Sequence, residues 1–156
     1  DIIRIPEKVD LVVYTPAIPK NHRQFNYFLQ NNFTVKKRSE ILEILSENKF
    51  IIAVGGSHGK TTVSSMIAHI LKHSGYDCTA FLGGIATNYN SNFINGNNDT
   101  MVIEADEFDR SFLKLKPNIA VITAVDTDHL DIYGSKENIE DAFYQFTQNV
   151  KKEGKV

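Results

Sequence analysis

A chain of 156 residues with 42% apolar and 23% charged side chains can bury one substantial core, which excludes a disordered tail. A formal net charge of -2 with mixed signs excludes the basic field on which nucleic-acid binding relies, so a nucleotide is a better ligand than a polymer. The single Cys78 excludes an internal disulfide framework and suits a reducing cytoplasm, and no apolar run approaches the roughly 20 residues of a membrane span. The opening DIIRIPEKVD has no signal-like pattern, so a soluble cytoplasmic protein is expected. It also lacks an initiator Met, and the closing GKV resembles the start of another strand, so both termini read as cuts inside a larger protein.

In chain order, the β-branched run VDLVVY from Val9 to Tyr14 predicts a buried parallel strand, and Pro16 and Pro19 forbid helix in the loop behind it. A helix is predicted from His22 to Gln30, a short strand from Phe33 to Lys36, and a helix capped by Ser39 that runs through Asn48 with Ile41, Leu42, Ile44 and Leu45 on its apolar side. This β-α-β-α order is the end of one doubly wound, Rossmann-like α/β unit. The ENK segment before Phe50 is the expected seam, which divides the chain into 1–48 and 49–156.

The second unit opens on FIIAVGGSHGKTTVSSMI, Phe50 to Ile67: an apolar strand, a glycine turn and a helix carrying Val63, Met66, Ile67, Ile70 and Leu71 at helical spacing. CTAFLGG is predicted as a strand ending in a Gly-Gly turn, and IATNYNSNFINGNND as a polar, Asn-rich excursion. Thr100 to Glu104 is a strand, Ser111 to Leu115 a short helix, and Asn118 to Val125 an apolar strand. Ser135 caps a last helix through Val150, with Ile139, Ala142, Phe143, Phe146 and Val150 facing the core. A mainly parallel sheet follows from this alternation.

The glycine turn reads as a phosphate-binding loop of the short form G-x-x-G-K-T-T, Gly56 to Thr62; the standard eight-residue form would need a glycine where Val54 stands. Gly55, Gly56 and Gly59 let backbone N–H groups close around phosphate oxygens, and the helix start adds its positive end. Lys60 would reach the terminal phosphates and the Thr61 hydroxyl a Mg²⁺ ion. A strand-to-helix turn that merely uses glycine is the bland alternative, and the coincidence of strand, loop and Lys-Thr-Thr weighs against it.

Two strand tips carry acids. Glu104, Asp106 and Glu107 end the TMVIE strand where open α/β sheets gather ligands, and alternation sends Glu104 and Asp106 to the same side. Glu104 is the expected metal ligand among them, against the alternative of a solvated acidic loop. Asp126, Asp128, His129 and Asp131 follow the next strand, and carboxylates flanking His129 could orient its ring. His69 and His73 lie on the loop helix with no acidic neighbours in sequence.

GSHGKTT (Gly56 to Thr62), EADEFDRSFL (Glu104 to Leu113) and TDHLDIYG (Thr127 to Gly134) together resemble the Mur ligase family, ATP-dependent amide-forming ligases of peptidoglycan precursor biosynthesis. The resemblance extends more loosely to VVYTPAI and KKRSEILEIL and is greatest to the branch that joins L-alanine to UDP-N-acetylmuramate. It implies that 1–48 is the end of the UDP-sugar-binding domain and 49–156 the first part of a central ATP-binding domain. It implies further that Gly56, Ser57, His58, Gly59, Lys60, Thr61 and Thr62 bind ATP, that Thr61, Glu104 and His129 ligate Mg²⁺, and that Lys60, Glu104 and His129 carry the catalysis. His58, Asn88 and Arg110 are implied contacts to the UDP-sugar. Ser57 stands where Thr is usual and Phe108 where Ser is common, and no Lys lies between Lys136 and Lys151 to serve as the carbamylated metal ligand of several relatives. The expected function is amide ligation through an acyl phosphate, with this stretch alone inactive. A murein-peptide recycling ligase and a non-catalytic nucleotide-binding module are the alternatives, while a GTPase-like switch would want an N-K-x-D segment that the sequence lacks.

Overall fold

The computed structural model describes residues 2–127 and 130–156, which form two compact units, 1–45 and 46–156. In the first, strand β1 (Val12–Tyr14) pairs in parallel with β2 (Val35–Lys37), Val12 opposite Val35, and helix α1 (Arg23–Gln30) lies between them in sequence. Helix α1 starts where predicted because the His22 ring accepts the Phe25 N–H at 3.3 Å. Tyr14 meets Phe25 with ring centroids 4.7 Å apart, and Phe28 meets Phe33 edge-on.

Two expectations for this unit are corrected. Strand β1 is half the predicted length, and Val13 is 49% exposed, because a two-stranded sheet does not cover both its faces. Helix α2 (Arg38–Ser46) already includes Ser39; its N-terminus is tied instead by Glu40, whose Oε2 accepts the Lys37 N–H at 2.6 Å.

The second unit is a five-stranded sheet in the order β5-β4-β6-β3-β7, comprising β3 (Phe50–Gly55), β4 (Thr79–Ala86), β5 (Ser91–Ile94), β6 (Thr100–Glu104) and β7 (Ile119–Ile122). All pairings are parallel except β4 with β5. Helix α3 (Lys60–His73) follows β3, and α4 (Leu130–Tyr133) and α5 (Lys136–Gln148) follow β7. Strand β6 is buried at every position and β3 at all but its first, as expected of central strands covered on both faces. Ala68 of α3 packs on Ala80, Leu82 and Val102, whereas Gly55 faces Phe143 and Phe146 of α5. Since Val102 is paired with Ile52, an odd number of residues from Gly55, strand alternation places α3 and α5 on opposite faces of the sheet.

Helix α5 keeps its predicted cap, with Ser135 Oγ accepting the Asn138 N–H, and its predicted buried face Ile139, Ala142, Phe143 and Phe146; Val150 lies beyond its end. Helix α3 is rotated from expectation. Ser64 and Ala68 are fully buried and Ile67 and Leu71 pack beside them, while Met66 and Ile70 are more than half exposed, because small side chains let the helix approach the sheet closely.

The predicted Gly-Gly turn is strand, and the Asn-rich excursion contains β5, which returns antiparallel on β4 as a sheet edge. The short helix is a 3-10 helix over Phe108–Lys114. Strand β7 stops at Ile122, since the next residues fold onto the glycine loop. Beyond α5, Lys155 bonds alongside β7: its N–H donates to Asn118 O and its carbonyl accepts from Ala120, both at 2.9 Å. No helix among the described residues is long and apolar enough to cross a membrane.

Candidate active site

The glycine loop joins β3 to α3 at the carboxyl end of an interior strand that lies between β6 and β7. Gly56 and Gly59 have φ of 133° and 78°, values that an L side chain rarely adopts, and a Cβ on Gly56 would stand 2.2 Å from Thr123 Oγ1. The loop is braced from the segment behind β7. Ser57 N–H donates to Ala124 O at 2.8 Å, Ser57 Oγ to Asp126 O at 3.3 Å, and Asp126 N–H to Ser57 Oγ at 2.9 Å. Thr123 Oγ1 bonds both Gly55 O and His58 O. A hydroxyl at position 57 therefore has a bracing role that serine meets as threonine would.

The strand order sets β6 beside β3, so the tip of β6 faces the first turn of α3. Thr61 Oγ1 donates to Glu104 Oε1 at 2.9 Å. The other oxygen, Glu104 Oε2, accepts the Gly83 N–H at 2.6 Å and the buried Ser64 hydroxyl at 3.4 Å. Thr61 and Gly83, with a Ser64 hydroxyl shared between Glu104 and the Thr61 carbonyl at 3.2 Å, fix the carboxylate of a residue that is only 9% exposed.

Lys60 turns the other way: its Nζ donates to Gly56 O at 2.6 Å and to Glu107 Oε1 at 2.9 Å. Glu107 is buried, and Asp106 is exposed with Oδ1 accepting the Phe108 N–H at 3.1 Å. The expectation that Glu104 and Asp106 share a side is thus corrected. Strand β6 ends at Glu104, alternation ends with it, and the chain turns so that Glu107 points inward.

Mg²⁺ binds oxygens at about 2.1 Å in an octahedron, so two neighbouring ligand oxygens stand roughly 3.0 Å apart. The Thr61 hydroxyl and Glu104 carboxylate, 2.9 Å apart, fit one edge of that octahedron. Among the described residues no three His, Cys, Asp or Glu side chains gather into a metal cluster. Two oxygen ligands with room for phosphate and water are the way Mg²⁺ is usually held beside a nucleotide.

Four of the remaining predicted residues have described surroundings. Thr62 and Asn88 line a cavity of about 330 Å³ together with Thr61, Met66, His69 and Tyr89, and Asn88 Nδ2 approaches His69 Nδ1 at 3.4 Å. His58 is on the outer side of the loop, with Nε2 3.8 Å from Asp126 Oδ2. Arg110, at φ 58°, lays its guanidinium 5.1 Å from the Tyr133 ring centroid. His129 lies outside the described residues. Sequence reasoning missed Ser64, Gly83 and Thr123. Ser64 had a usable signal, since it follows Thr61 by three residues and so shares its helix face.

A glycine loop that opens a helix beside an acidic strand tip, on a largely parallel sheet with helices on both faces, defines an α/β domain of the phosphate-loop class. Residues 54–156 match the Mur ligase middle domain, and the chain belongs to the Mur ligase family. It is 49% identical to the UDP-N-acetylmuramate–L-alanine ligase of Christiangramia forsetii, over all of this chain and 36% of that protein. Identity is 53% with the ligase of the same name from Flavobacterium psychrophilum, over 94% of this chain and 33% of the relative. Among solved structures, the UDP-N-acetylmuramate–alanine ligase of Thermotoga maritima superposes with a TM-score of 0.85 at 32% identity, covering 96% of this chain and 35% of that one. A Neisseria meningitides UDP-N-acetylmuramate:L-alanyl-gamma-D-glutamyl-meso-diaminopimelate ligase gives 0.75 at 26% identity, over 93% of this chain and 50% of that one. The chain spans about a third of the length of the curated relatives it matches.

Proposed function

We propose that this chain is the phosphate-handling part of an ATP-dependent ligase that joins L-alanine to the lactyl carboxylate of UDP-N-acetylmuramate. The observation that carries the reading is the 2.9 Å contact between Thr61 at the head of α3 and Glu104 at the tip of β6. Relatives named for that reaction, at about half identity over essentially the whole chain, support the choice of substrates over those of the peptide-recycling ligases.

In this reading the loop N–H groups and Lys60 hold the β- and γ-phosphates of ATP, while Thr61, Glu104 and His129 hold Mg²⁺. When bound, the metal supplies charge neutralisation between two anionic reactants. A carboxylate is a poor electrophile, so its oxygen first attacks the γ-phosphorus, ADP departs, and an acyl phosphate forms. The amine nitrogen of L-alanine then attacks the carbonyl carbon, inorganic phosphate leaves, and the nitrogen loses a proton. Lys60 offsets the negative charge that gathers in the first step. Asn88, on the cavity that shares Thr61 with the phosphate loop, together with His58 and Arg110 contacts the UDP-sugar. Residues 1–48 belong to the UDP-sugar-binding domain and 49–156 to the ATP-binding domain of a cytoplasmic enzyme.

Calorimetric titration with MgATP, run on wild type, Lys60→Ala and His129→Ala, tests the phosphate and metal assignments. Binding that needs Mg²⁺ and Lys60 and weakens without His129 is expected; binding indifferent to Lys60 sinks the reading. Amine profiling of the full-length enzyme, with L-alanine against an L-alanyl peptide, separates the two ligase types.

A further inference from the structure

We infer that Glu107 is a positioning residue for Lys60, holding its ammonium at the loop so that it recognises the terminal phosphate of the nucleotide. The inference rests on the phosphate-loop reading above, which assigns Glu107 no task.

An ammonium on a four-carbon stem is mobile by default, and mobility is costly for a group that must meet one phosphate oxygen. Here two of its three N–H donors are committed, to Gly56 O at 2.6 Å and Glu107 Oε1 at 2.9 Å. Tetrahedral geometry then leaves one direction for the third, which is the donor a phosphate would take. Both side chains are largely out of solvent, Lys60 at 14% and Glu107 at 3% exposure, so the pair is weakly screened and its geometry well defined.

Glu107 is itself anchored. Its carbonyl accepts the Tyr133 hydroxyl at 2.7 Å and the Arg110 N–H at 3.0 Å, and Tyr133 is 3% exposed. The acid is therefore held from α4 and from the 3-10 helix rather than left on a free loop. The two carboxylates at the end of β6 also divide the head of α3 between them: Glu104 takes Thr61, and Glu107 takes Lys60. That division keeps the ammonium engaged away from the carboxylate assigned to the metal.

The test is titration of MgATP and MgADP into the full-length protein carrying Glu107→Gln or Glu107→Ala, with thermal unfolding measured in parallel. Because Lys60 meets the terminal phosphate, a misplaced ammonium should cost ATP more than ADP. The ATP-over-ADP preference is expected to fall by about tenfold in Glu107→Ala, the scale of one charged hydrogen bond, and by less in Glu107→Gln, whose amide oxygen still accepts from Lys60. A purely structural acid would lower the melting temperature and leave the ratio unchanged. A ratio that stays constant in the folded Ala variant, or rises in either variant, overturns the inference, a rise meaning that Glu107 merely competes with phosphate. Lys60→Ala separates the two levels of the argument: if it too leaves nucleotide affinity intact, the phosphate-loop reading fails, whereas loss in Lys60→Ala with an unchanged ratio in both Glu107 variants rejects only the role of Glu107.

Discussion

Gly83 gives its N–H to Glu104 Oε2 at 2.6 Å and has no room for a side chain, since a Cβ built on it would lie 2.2 Å from Glu104 Oε1. The glycine is there for the close approach of strand β4 to the carboxylate, not for a turn. Gly83→Ala is expected to displace Glu104 and cost about 1–3 kcal/mol of stability, read from urea denaturation. The same variant should need more Mg²⁺ for nucleotide binding. Unchanged Mg²⁺ dependence with lowered stability would show that Glu104 retains its place after the strand has shifted.

Ser64 tests the same carboxylate from below. Its buried hydroxyl lies 3.4 Å from Glu104 Oε2 and 3.2 Å from Thr61 O. Ser64→Ala should weaken Mg²⁺ affinity by about tenfold, the lower end for groups that orient a metal ligand. A Mg²⁺ titration of nucleotide binding measures it, with Glu104→Gln as the more damaging reference.

Asp77 should make stability fall in acid. The Lys72 ammonium beside it, helped by the Asn97 N–H, holds its carboxyl below the ordinary 3.8, so the charged form is favoured in the folded state. The stabilisation is full above that ordinary value and is lost as pH falls through the lower folded value. Asp77→Asn tolerates the residue's φ of 67° and should flatten the acid limb of the melting-temperature profile. An unaltered limb would assign the acid sensitivity to other carboxylates.

Cys78 should be inert in the folded protein. It is fully buried beneath α3, its Sγ lies 3.8 Å from Ala68 O, and burial pushes the thiol up from its ordinary value, so little thiolate forms. Labelling with a thiol reagent at neutral pH should proceed only at the rate of opening and become rapid in denaturant. Fast labelling of the native chain would mean that the β4 end of α3 opens locally.

The β3, loop and α3 unit was legible because its signal is local: an apolar strand, glycines at positive φ, and Lys-Thr-Thr at a helix start within eighteen residues. Glu104 was legible as an acid on a strand tip, and Ser135 as a cap. Glu107 was not singled out, because its partner Lys60 is 47 residues away and the two meet only through the strand order. Strand β5 was hidden by composition, since an edge strand with only one buried residue need not look apolar. The face of α3 was misjudged by weighting Met66 and Ile70, when serine and alanine made the closest approach.

Strand β4 aligns on β6 with Thr79 opposite Met101 and Phe81 opposite Ile103, and that alignment brings Gly83 to Glu104. A slip of one residue that set Leu82 in place of Gly83 would present the other face of the strand and bring a side chain against the carboxylate. A chain misaligned in that way would be compact and helical yet unable to hold a divalent ion, so the magnesium dependence proposed for this domain would double as an assay of whether its sheet was assembled correctly.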